Sequence, residues 1–170
     1  MLRQKAVCLA CVGAGLIILL GTGVRGAAGT KGTGQDLAAI KAEMIRLTNA
    51  ERAKENLAPL VEDARLTSAA QKHTDHMAEK QMLEHELGGT TPGQRVEAEK
   101  YDWGAVGEVL YRAGQPEKAN AAKAIRSWMT SKDGHRETML RSKYTHIGVG
   151  VAYSSTGVPY LTQVFARPIQ

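Results

Sequence analysis

Residues 121–150, AAKAIRSWMTSKDGHRETMLRSKYTHIGVG, decide the fold. Ala121, Ala122, Ile125, Trp128 and Met129 recur at the spacing of one buried helical face. The period stops at Ser131-Lys132-Asp133-Gly134, a polar cluster closed by glycine. His135 then stands at the mouth of a second short helix ending near Arg141, with Asp133 as its N-cap. Ile147-Gly-Val-Gly-Val-Ala-Tyr153 alternates strictly and reads as a strand. A histidine is thereby held on a tight turn between two helices, immediately before a sheet begins.

Upstream of this stretch the chain supplies partners. A first helix is predicted from about Gln35 to Asn56, with Leu37, Ile40, Met44 and Leu47 on its apolar stripe and Pro59 beyond its end. Asn49 and Arg52 share a face of it, and spacing leaves a buried polar bridge and a solvated surface equally open. A second helix, capped by Asp63, is predicted over 64–82, with Leu66, Ala69, Ala70, His73 and Met77 inward. His73 lies within that stripe and reads as a satisfied core histidine. With His76 it makes an H-x-x-H pair, a weak metal signal when it stands alone. His85 leaves this helix onto a loop rich in glycine, Gly88-Gly89. Thr91-Pro92-Gly93-Gln94 has the form of a capping box with proline at the first helical position, opening a short helix to about Lys100. Residues 106–111 read as a strand carrying Glu108. The chain closes with a hairpin, 147–153 and 160–166, and Gly148 and Gly150 clear one face of its first strand for a closely packed helix. This order of elements fits an antiparallel sheet flanked by helices, an α+β sandwich, rather than a parallel βαβ fold.

The first 28 residues read as a leader rather than fold. Arg3 and Lys5 precede an uncharged apolar run from Ala6 to Leu20, followed by small residues up to Ala28, which is the pattern of a cleaved secretory signal. An uncleaved membrane anchor is the competing reading. Residues 29–34, GTKGTG, form a short flexible spacer, and residues 35–170 form one domain. Of the 22 basic residues the leader takes Arg3, Lys5 and Arg25 and no acid, so 19 remain against 17 acidic. A net charge of +2 argues against a nucleic-acid partner, although the full sequence has a pI near 9.3. Cys8 and Cys11 both fall in the leader, so the mature chain relies on an ordinary core without disulfides.

His85, Glu108 and His135 stand out as chemistry-bearing residues at element ends. Two neutral imidazoles and a carboxylate suffice for a divalent metal such as zinc, with a fourth position for water; the same trio without metal suits acid–base work. Ser131, His135 and Glu108 also have the residue types of a nucleophilic triad, but serine before Lys-Asp-Gly is ordinarily a turn cap. Arg95, Arg136, Asn49 and Arg52 read as ties between loops and helices. Tyr101 and Trp103 suit a cleft wall and core packing equally, and nothing in the sequence places His146.

Six segments in order carry a resemblance: Asn49-Ala-Glu-Arg52, Met77-Ala78 running on to His85, Gly107-Glu108, Trp128-Met-Thr-Ser131, Gly134-His135-Arg136 with Met139-Leu140, and Ile147-Gly-Val-Gly150. In these the chain resembles the CAP superfamily, the SCP/PR-1-like or bacterial YkwD-type domain. The resemblance implies a three-layer αβα sandwich with an open cleft holding two histidines, at His85 and His135, and two acids. One acid falls on Glu108, while the place of the other is taken by Ser131. Val109 likewise stands where the family usually has asparagine. The resemblance further implies a secreted, periplasmic or envelope binding module, without a membrane span in its mature form. Its cleft would take a divalent metal, zinc in the first instance, on His85, Glu108 and His135, together with a lipid, peptide or small envelope ligand. A metal-dependent hydrolase, peptidase-like or esterase-like, using Glu108 and metal-bound water is the alternative, and whether any reaction is catalysed stays open.

Overall fold

The computed structural model describes residues 34–169. The expected leader, and the spacer up to residue 33, lie outside the described residues. Helix α1 spans Gly34–Lys54, strand β1 Val61–Glu62, helix α2 Ala64–Lys80, helix α3 Pro92–Ala98 and strand β2 Trp103–Arg112. Helices α4 (Ala121–Met129) and α5 (His135–Met139) come next, then strands β3 (His146–Tyr153) and β4 (Pro159–Pro168). No helix among the described residues is long and apolar enough to cross a membrane.

The sheet order is β1-β3-β4-β2, with β3–β4 and β2–β4 antiparallel. The two-residue β1 is an addition to the sequence reading and runs parallel to β3, pairing Val61 with His146 and Glu62 with Ile147. Side-chain alternation sends successive strand residues to opposite faces. Ala105, Val109, Ile147, Val149, Val151, Leu161 and Phe165 join one core with Met44 of α1, Trp128 of α4 and Met139 of α5. On the other face Val164 and Ala166 pack with Leu66, Ala69 and Ala70 of α2 and Val96 of α3. Helices therefore cover both faces, and β2 is an outer strand.

The two bare positions of β3 let α2 settle directly on the sheet. A Cβ built at Gly148 would fall on the backbone of Leu66 and Thr67, and one at Gly150 would lie 2.6 Å from the carbonyl carbon of Ala70. Helix α2 starts where expected: Asp63 accepts the Arg65 N–H at 2.8 Å. The Thr91–Gln94 capping box is present with both of its bonds.

Three expectations need correcting. Helix α5 ends at Met139 rather than near Arg141, and its N-cap is Gly134, with φ +83° and no side-chain cap. Asp133 instead donates its own N–H to Ser131 Oγ at 3.0 Å. The buried line of α1 is Met44, Thr48 and Arg52, each 0% exposed; Leu37, Ile40 and Leu47 are only partly covered. The α1 line is polar in two places because the sheet offers matching groups. Thr48 and Gln163 of β4 exchange hydrogen bonds. Arg52 donates to the carbonyls of Ala58, Met139, Arg141 and Tyr144. Asn49 holds both the N–H and the C=O of Leu60, at 2.8 and 3.0 Å. The Asn49–Arg52 face is thus buried in part and acts as a tie between loops.

Candidate functional site

Strand β2 presents Glu108 on the face covered by α2 and α3, and three elements converge on its carboxylate. Helix α2 ends at Gln81 in the left-handed conformation, which turns the chain into the loop bearing His85. His85 is half exposed, and its Nδ1 lies 2.9 Å from Glu108 Oε1. A carboxylate only accepts, so the proton of this bond sits on Nδ1 and the lone pair of His85 is left at Nε2. Glu108 itself is buried, its side chain 1% exposed.

Arg95, from the second turn of α3, completes the arrangement. Its Nη2 donates to both oxygens of Glu108, at 3.0 and 2.8 Å. Its Nη1 donates to the carbonyls of His85 (2.9 Å) and Thr90 (2.6 Å). One guanidinium therefore neutralises the buried carboxylate and pins the loop that carries His85. His73 on α2 is buried, as its place in the apolar stripe predicts. Its Nε2–H donates to the Glu84 carbonyl at 3.0 Å, one residue before His85, and the same nitrogen lies 3.8 Å from Glu108 Oε1. Burial pushes the His73 pKa down, against an opposing pull from Glu108. His76 does not join it: that ring lies against Gly88, where an added Cβ would come within 2.9 Å of it.

Ser131 and His135 form a second pair. Ser131 Oγ lies 2.8 Å from His135 Nδ1 and 3.4 Å from Asp133 Oδ2, and accepts the Asp133 N–H. The hydroxyl has one proton to give. Given to Asp133, it leaves His135 Nδ1 donating and Nε2 with its lone pair; given to His135, it leaves the proton on Nε2. Helix α5 packs on β2 at Gly107, where an added Cβ would strike Tyr144 Oη and lie 3.1 Å from Thr138 Cγ2. Thr138 of α5 therefore lies on the face of β2 opposite the one bearing Glu108.

The structure thus brings together His85 with Glu108, and Ser131 with His135. No hydrogen bond among the described residues joins the two pairs. The triad arrangement is not made: Glu108 is bound by His85 and Arg95, and Ser131 serves the 131–135 turn. Among the described residues, no group of three or more His, Cys, Asp or Glu side chains is placed to hold a metal ion. With both Glu108 oxygens held by N–H donors, the donor chemistry does not fit zinc on Glu108 and two imidazoles together.

Arg95 and His73 are the site residues that the sequence reads as a tie and a core histidine rather than as neighbours of Glu108. Arg95 is legible there as a tie but not as the counter-ion of Glu108, because the two lie 13 positions apart on different elements. Tyr101 and Trp103 are packing residues. Tyr101 is buried under Arg65, with its hydroxyl 3.2 Å from His146 Nδ1. Trp103 lies on Gly93 and donates to Glu97 at 3.1 Å.

A model of the cysteine-rich secretory protein family, CAP, matches residues 45–165, most of the chain. The chain belongs to the CAP family. It is similar to the uncharacterized protein YkwD of Bacillus subtilis, 30% identical over 121 residues, covering 71% of this chain and 45% of that one. The CAP chain spans less than half the length of the curated relatives it matches, 45% and 34%. Among solved structures it is similar to an outer surface protein of Borrelia burgdorferi (24% identity, TM-score 0.65, covering 83% of this chain and 99% of that one). An extracellular protein containing an SCP domain from Bacillus anthracis aligns equally well (24%, 0.65, 79% and 44%). A more distant neighbour, NaASP2, was crystallised with Zn2+ (13%, TM-score 0.52, 79% and 80%). At these identities the structural matches speak for the αβα sandwich of the CAP fold alone.

Proposed function

We propose that this CAP domain is a secreted or cell-envelope binding module. In this reading its cleft opens along β2 between His85 and Glu108 on one side and Ser131 and His135 on the other. A divalent ion, zinc in the first instance, is held by the two imidazoles, with Glu108 behind His85 rather than beside it. A lipid, peptide or small envelope ligand fills the rest. The observation that carries the reading is the half-exposed His85 whose Nδ1 is engaged by a fully covered carboxylate. A carboxylate behind an imidazole fixes ring orientation and tautomer and raises the basicity of the outward nitrogen, the usual support of a ligating histidine. When bound, the metal supplies positive charge to a ligand's oxygen atoms. The protein residues supply orientation: Arg95 anchors the His85 loop, and Ser131 holds the His135 ring.

The extracellular setting draws on the leader-like N-terminus and on the surface and extracellular relatives. The hydrolase alternative draws no support from Glu108, which is 1% exposed and faces His85 and Arg95 donors rather than a path for water. The test is a zinc titration against a chromophoric chelator, on wild type, His85→Ala and His135→Ala. One equivalent of zinc, lost in both variants, is expected. Equal zinc uptake by all three proteins would refute the reading. Native mass spectrometry of the protein recovered from its secreting host should show a co-purifying small ligand, and bare protein from every preparation would count against a ligand-filled cleft.

A further inference from the structure

We infer that Arg95 sets the metal affinity of this cleft, by holding Glu108 out of the coordination sphere of any ion bound there. The inference rests on the two-imidazole reading above and adds a residue that the His–Glu–His pattern does not contain.

A carboxylate offers about four lone-pair directions. Here Oε1 accepts from His85 Nδ1 at 2.9 Å and from Arg95 Nη2 at 3.0 Å, and Oε2 accepts from the same Nη2 at 2.8 Å. Glu108 is buried and Arg95 largely covered: side-chain exposure is 1% and 11%. Metal ligation by Glu108 would require the carboxylate to leave a guanidinium with which it shares a low-dielectric pocket. That guanidinium would then be stranded, and an uncompensated buried charge is costly. Arg95 cannot shed its proton to relieve the strain. Nor is it free to swing away, since its other nitrogen holds His85 O and Thr90 O. A dication approaching His85 also meets the repulsion of this fixed positive charge. Arg95 therefore acts in two opposed ways: it positions the His85 loop, and it weakens the site as a cation trap.

The experiment compares zinc affinity in wild type, Arg95→Met, Arg95→Lys and Arg95→Met/Glu108→Gln, with far-UV circular dichroism and a thermal melt on each. Arg95→Met keeps the aliphatic stem, removes the charge and frees the carboxylate. Zinc is expected to bind it at least tenfold tighter than wild type, and the gain is expected to vanish in the double variant. Arg95→Lys keeps a cation but loses the two-oxygen grip and should tighten zinc by a smaller factor; it carries the test should Arg95→Met fail to fold. An affinity of folded Arg95→Met, or of Arg95→Lys in its place, within twofold of wild type would overturn the inference while leaving a His85-dependent zinc site standing. Zinc that appears only in the Arg95 variants would sustain the inference and sink the resident-metal reading. A gain that survives Glu108→Gln would show that the carboxylate is not what Arg95 withholds, and would overturn the inference as well.

Discussion

Gly148→Ala is the sharpest test of how this domain is packed. The Cβ it adds would lie against the Leu66 carbonyl group and the Thr67 nitrogen of α2, closer than the 3.0 Å that real Cβ atoms essentially never breach. The obstacles are helix backbone, so no side-chain rotation relieves them. To restore ordinary contact at about 3.4 Å, the first turn of α2 must back away from β3 by about 1 Å, opening gaps around Leu66 and Ala69 that forfeit dispersion contacts. Overpacking of this kind costs about 1–3 kcal/mol, and rigid obstacles place it at the upper end. Replacing a strand glycine returns about 0.5–1 kcal/mol of chain entropy. The expected net loss is about 2 kcal/mol, or a melting temperature lower by roughly 6–10 °C for a domain of this size. Urea denaturation followed by circular dichroism at pH 7.5 measures it. Gly114→Ala is the internal control: an added Cβ there has no atom within 4 Å and the backbone is not left-handed, so its midpoint should hold or rise slightly. A Gly148→Ala midpoint matching wild type, or a Gly114→Ala loss as large, would refute the seating of α2 on the sheet.

Buried polar groups give two more expected outcomes. Arg52→Met leaves the carbonyls of Met139 and Tyr144 without their buried donor and should cost about 2–4 kcal/mol by the same denaturation assay; Arg52→Lys, a point charge, should recover only part of it. His73 has its pKa depressed by burial from 6.5, so the unfolded chain takes up its proton first. Its contribution to stability is therefore complete above pH 6.5 and declines as pH falls from there through the folded-state value. His73→Gln, which keeps an N–H for the Glu84 carbonyl, should remove that part of the acid slope while costing little at pH 8; an unchanged slope would contradict the burial.

The elements that sequence conveys well are those whose signals are local. Asp63, the Thr91–Gln94 box and the 3.6-residue stripe of α4 each act within one or two turns and appear where the pattern puts them, except that Ala124 is buried in place of Ala122 and Met129 is only partly covered. Gly148 and Gly150 are informative for a less local reason, since two glycines two apart on a strand strip one face and only a close neighbour explains that. The failures share a cause. β1 is too short for any alternation and exists because β3 offers it hydrogen bonds. Gly134 rather than Asp133 stands at the N-cap of α5, and the Asp133 carboxylate is turned back toward the Ser131 hydroxyl instead. Within the site, His85 and Glu108 stand out in the sequence as separate residues, and their meeting is expected only from the resemblance. The pairing of Glu108 with Arg95 leaves no sequence signal, since an arginine in a short helix looks like any solvated cation until the strand beneath it is known.

The guanidinium of Arg52, closing four loop and helix carbonyls from inside α1, has a consequence for how the protein is made. Both cysteines, Cys8 and Cys11, precede the described residues, so these contacts do the loop-fastening that cross-linked exported domains obtain by oxidation. Such a domain matures without a thiol oxidant or an isomerase. Cytosolic expression in a strongly reducing strain should give the same melting curve as export, with or without dithiothreitol in the cuvette.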